Sequence, residues 1–181
     1  MSDFLRALSE REQLLYQRTV AFTGTMESKE AQLRSSGIIE EYRQLHAAYW
    51  ALLQASSDKQ EQVELLKRVV FLNWYQWAEP TIYSGIDELD EEVVQAAYSL
   101  LDSWLEHDTL DQEFRWMLSY YATWDYAILP YSENHLPFLT AFVREASQSV
   151  VYPPQGQLPR HSMDNRGQMG RYWQSVGLEI S

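Results

Sequence analysis

The stretch from Gln112 to Pro130 constrains this chain more than any other. Phe114, Met117, Leu118, Tyr121, Trp124 and Ile128 recur at three- and four-residue steps, which places them on one face of a helix. Trp116, Tyr120 and Tyr126 carry the apolar surface beyond a single stripe. A helix that is apolar over most of its circumference has to be covered on several sides. The pattern therefore predicts the central helix of an all-α domain, ending at Pro130, whose ring disfavours a helical residue before it.

The rest of the chain supports that class. Gly and Pro are scarce between residues 1 and 79, and no strand-like alternation persists. A first helix is expected from Asp3 to Val20, with Phe4, Leu5, Leu8, Leu15 and Val20 as its apolar side; Ser9 with Glu12 would cap a later start. A second runs from Met26 to Ala55, with Ser35-Ser36-Gly37 as the place for a break, and a third from a capping box of Ser57 and Gln60 to Ala78. Beyond the loop Glu79–Gly85 a fourth spans Asp87 to Glu106, with Val93, Ala97, Leu100 and Trp104 facing inward. Thr109 with Gln112 reads as the box that opens the central helix, and Pro137 as the start of a sixth.

The expected architecture is a single-domain antiparallel helical bundle, or a short array of helical hairpins, over residues 1–147. A hairpin duplication would match Ala47-Ala48-Tyr49 and Pro80 to Ala96-Ala97-Tyr98 and Pro130. Residues 148–181 change character, with Pro and Gly that exclude a long helix. They read as a mostly irregular tail that docks through Tyr172, Trp173, Val176, Leu178 and Ile180.

Charge is the least ordinary feature. The net charge is −12, and from Asp87 to Glu113 carboxylates follow one another without a single Lys or Arg. Such a surface repels phosphate backbones, so DNA and RNA are poor partners. The pattern suits a non-catalytic protein-binding module that presents Asp87, Glu88, Glu91, Glu92, Glu106 and Asp108 to a basic protein. A narrower version of the same chemistry is an immunity-type inhibitor of a basic toxin or nuclease. The plain alternative is a solvated helix face.

Catalytic chemistry has few handles. The absence of cysteine excludes disulfides and thiolate ligands, and His46, His107, His135 and His161 share no metal-binding spacing, so no metal or cofactor is expected. His46, among Ile39, Tyr42 and Leu53, reads as a hydrogen-bonded core residue. Asp125 and Glu79, set among rings, are the weak candidates for a general acid. A pocket walled by Trp74, Trp77, Tyr83 and Trp124 would serve a small-molecule-binding protein or enzyme. The N-terminus lacks the apolar core of a signal peptide and no run is long enough to span a bilayer, which predicts no membrane association and a cytoplasmic protein. Oligomeric state is not legible.

Overall fold

A computed structural model describes residues 2–148 and 161–176, and these are all-α. The helices are α1 Asp3–Val20, α2 Met26–Ser35, α3 Ile38–Ala55, α4 Lys59–Ala78, α5 Thr81–Ser84, α6 Glu91–Glu106, α7 Gln112–Tyr121, α8 Leu129–Ser132, α9 Pro137–Gln148 and α10 Gly167–Ser175. A 3-10 turn, Asp125–Ala127, links α7 to α8. Among the described residues there is no strand, and no helix is long and apolar enough to cross a membrane. Leu178 and Ile180, named above as anchors, lie outside the described residues.

The central helix is α4. Its residues Leu65 to Tyr75 are all buried, Lys67, Arg68 and Asn73 included, because α3, α5, α6, α10 and the 3-10 turn cover it on different sides. The Gln112–Pro130 stretch is instead three pieces. At its break the hydrogen bonds tighten to the i+3 pattern, Thr123 N to Tyr120 O and Trp124 N to Tyr121 O. Thr123 Oγ1 also donates to the Tyr120 carbonyl at 2.7 Å. Pro130 does not end a helix; it sits in the first turn of α8, where its missing N–H costs nothing.

Helix starts follow single aspartates more than capping boxes. Asp58 caps α4 and Asp111 caps α7, in place of the expected Ser57 and Thr109, since each carboxylate stands directly before the first helical turn. Asp90 caps α6, so Asp87 and Glu88 precede that helix rather than opening it. Met26–Ala55 is divided at the anticipated place, with Gly37 in the left-handed region at φ +78°.

Two predicted faces are displaced. In α1 the buried residues are Leu5, Ser9, Glu12, Leu15 and Thr19, while Phe4 and Val20 are exposed. In α6 the buried set is Val94, Ala97, Tyr98 and Leu101, with Val93, Leu100 and Trp104 only half-buried. The tail is also more regular than expected, since α10 packs on α1 and α4 and buries Trp173 completely. Trp173 packs tilted against Trp116, with ring centroids 4.4 Å apart, and donates its indole N–H to Tyr121 Oη at 3.2 Å. This ring is one of a continuous cluster with Phe71, Trp74, Tyr75, Tyr120, Tyr121 and Tyr172.

Candidate functional site

The acidic run separates into three groups. Asp111, itself exposed, and half-buried Glu113 share the buried ammonium of Lys67, at 2.7 and 2.8 Å. Asp102 accepts the backbone N–H of Leu139 at 2.7 Å and so tethers α9 to α6. These carboxylates are structural.

At the far end of α6, Glu106 and Asp108 are exposed, and Asp108 is paired with Arg115. The remaining group, Asp87, Glu88, Asp90, Glu91 and Glu92, gathers at the helix start. Within it only Glu88 has a cation among the described residues, Arg34 at 3.9 Å. Fifteen residues separate Glu91 from Glu106, about 22 Å along the axis at 1.5 Å per residue. The six anticipated partner-binding residues therefore do not form one patch. The dense, least compensated one is Asp87–Glu92, and Glu91 and Glu92 also lie where the helix dipole favours negative charge.

Of the aromatic four, Trp74 and Trp124 meet edge to face at 5.4 Å. Trp74 is fully buried in the core, whereas Trp77 and Tyr83 are 52% and 47% exposed. These four rings are thus divided between interior and surface. Asp125 is exposed at the start of the 3-10 turn. Glu79 follows α4 as its C-terminal cap residue, half-buried, and desolvation raises its carboxyl above the ordinary value. His46 is in the core as anticipated, its Nε2 2.7 Å from Asn73 Oδ1. Burial lowers its pKa to about 4, against the opposing pull of that hydrogen bond and of Asp90.

One constellation was missed by the pattern of the sequence. Glu12, 2% exposed, accepts hydrogen bonds from Tyr49 Oη and from the backbone N–H of Gln168, both at 2.7 Å. It thereby caps α10 from α1, since α10 has no side-chain cap of its own. Burial pushes its carboxyl pKa up, opposed by Arg68, Tyr49 and Gln168.

Arg68 donates to Glu64 at 2.8 Å and to the Asn165 carbonyl at 3.2 Å. Arg166 bridges Glu64 and Glu113, which it reaches at 2.9 and 2.8 Å. Burial alone would raise the pKa of Glu64 and of Glu113. The neighbouring cations outweigh it and hold both below the usual carboxylate range. This network joins α1, α3, α4, α7 and the segment before α10, with its charged groups paired inside the fold.

Clefts of about 600 and 620 Å³ flank the 162–167 segment, their walls including Arg6, Glu10 and Arg171 on one side and Asp58, Glu61 and Arg166 on the other. The chain matches no protein-family model, no curated protein and no solved structure.

Proposed function

We propose that the chain is a non-catalytic intracellular binding module that engages a basic protein through the surface at the start of α6. The observation that carries this reading is the concentration of carboxylates from Asp87 to Glu92, with Glu88, Asp90, Glu91 and Glu92 exposed and, among the described residues, only Arg34 paired with any of them, at 3.9 Å from Glu88. Asp58 and Asp111 cap helices, as Asp90 does within the patch, and Glu64 and Glu113 pair with Arg166. Like charges crowded at one place repel, and a cationic partner relieves that repulsion. A nucleic-acid backbone would add to it. An inhibitor of a basic toxin or nuclease is the narrower form of the same reading, and the same surface would serve it.

The test is a comparative capture from the native host by immobilised wild-type protein and by a Glu91→Lys, Glu92→Lys variant. Both are washed at low and at high salt, with mass spectrometry of what is retained. A basic protein held by the wild type alone, and released by salt, supports the proposal. Equal retention by both proteins at either salt overturns it.

A further inference from the structure

Beside the acidic patch lies a small apolar notch. Met26 and Leu33 of α2, Ile39 of α3, and Pro80 and Ile82 around α5 enclose about 250 Å³, room for one aliphatic side chain or a small ring. Leu33 forms a buried floor, Ile39 and Ile82 are half-buried walls, and Met26 is 58% exposed at the rim. The notch continues into a second depression that shares Arg34 and Ile39 with it and reaches Glu40, Arg43 and Glu88. Glu88 belongs to the Asp87–Glu92 patch, so the apolar hollow and the carboxylates form one surface.

The rim charges say what fits. Arg34 is held by Glu30 at 3.2 Å and Arg43 by Glu40 at 3.2 Å, both in exposed pairs on their own helices. Glu88 shares Arg34 at 3.9 Å, while Asp87, Asp90, Glu91 and Glu92 pair with no cation among the described residues. The two depressions are thus lined by Glu30, Glu40 and Glu88 against Arg34 and Arg43, and Glu88 joins them to the other Asp87–Glu92 carboxylates. This is the anatomy of a central apolar anchor site with a polar, solvent-exposed rim.

We infer that the surface takes a basic segment of a partner protein bearing one apolar anchor residue, which enters the notch while flanking Lys or Arg meet Glu88 and the Asp87–Glu92 carboxylates. The inference rests on the proposed binding of a basic protein and adds the form of the recognised segment. A second copy of this chain, at a net charge of −12, is a poor occupant.

The probe is a synthetic oligolysine peptide with one central leucine, compared with the same peptide carrying alanine there. The Met26 methyl resonance of the full chain reports occupancy directly, since Met117, Met163 and Met169 are buried. The leucine peptide should shift that methyl and bind about tenfold more tightly than the alanine peptide, the ratio that one modestly buried aliphatic side chain provides. Met26→Lys, at an exposed position, should erase the difference between the peptides by fluorescence anisotropy. Equal affinity of the two peptides overturns the notch and leaves the electrostatic reading standing. Binding that prefers leucine but ignores salt overturns the electrostatic reading instead. An unmoved Met26 methyl with both peptides overturns the inference.

Discussion

A methyl group at Gly167 would lie 1.9 Å from Glu12 Oε2, at a φ of +59° that L side chains rarely adopt. Gly37 has a comparable φ of +78° with no atom within 4 Å. The pair separates backbone strain from close approach. Gly37→Ala should cost about 1 kcal/mol, and Gly167→Ala about 2 kcal/mol or more, because the carboxylate that caps α10 has to move. Urea unfolding of both variants measures this.

His46 gives a pH signature. Its folded pKa is depressed from 6.5 to about 4, so the unfolded chain takes up a proton first as pH falls. Stability is therefore lost from pH 6.5 downward, by about 3 kcal/mol once pH 4 is passed, at 1.36 kcal/mol per pKa unit. His46→Gln should flatten that part of the profile, and the wild-type ring should not titrate by NMR above pH 5. His46 was legible from its apolar neighbours. Glu12 was not, since its partners Tyr49 and Gln168 stand 37 and 156 residues away and its own stripe looks polar. Only the assembled fold turns Ser9, Glu12 and Thr19 into core.

At the scale of elements, α1, the division between α2 and α3, and the start of α9 followed from periodicity, Gly and Pro. The central helix did not. Lys67, Arg68 and Asn73 interrupt the apolar run of α4 in sequence, and apart from Glu64, which pairs with Arg68 on α4 itself, their partners come from α1, α3, α7 with its cap Asp111, and Asn165. The Gln112–Pro130 stretch, locally more apolar, is broken at Thr123 and Trp124, where the hydrogen bonds tighten to the i+3 pattern, a turn that periodicity does not register. The energetic ranking follows the burial. Trp74→Ala should cost about 3–5 kcal/mol, and Trp124→Ala clearly less, because its ring is half-buried. Arg166→Ala should cost about 3 kcal/mol, mainly from leaving Glu64 and Glu113 without their shared cation. Denaturant melts rank the three.

For the whole molecule, the arrangement of charge carries the functional reading. The acidic run looked uniform in sequence because the cations that answer part of it, Lys67, Arg166 and Arg34, lie far along the chain. Folding uses some carboxylates as caps and pairs, Asp90 and Glu88 included, and leaves Asp87, Glu91 and Glu92 beside them without a cation among the described residues. The aromatic residues divided the other way, with a cluster of rings in the core and Phe4, Trp77, Tyr83, Tyr126 and Phe138 left at the surface. The account therefore turns on whether exposed charge governs association. Screening between exposed charges sets in over about 8 Å at physiological salt, so its mark is on the encounter rate. The decisive measurement is the association rate of the captured basic partner across an ionic-strength series, for wild type and for the Glu91→Lys, Glu92→Lys variant. The account predicts a wild-type rate that falls at least tenfold from low to physiological salt, and a variant rate that is slow at low salt and nearly flat. Rates that coincide for the two proteins and ignore salt would contradict it.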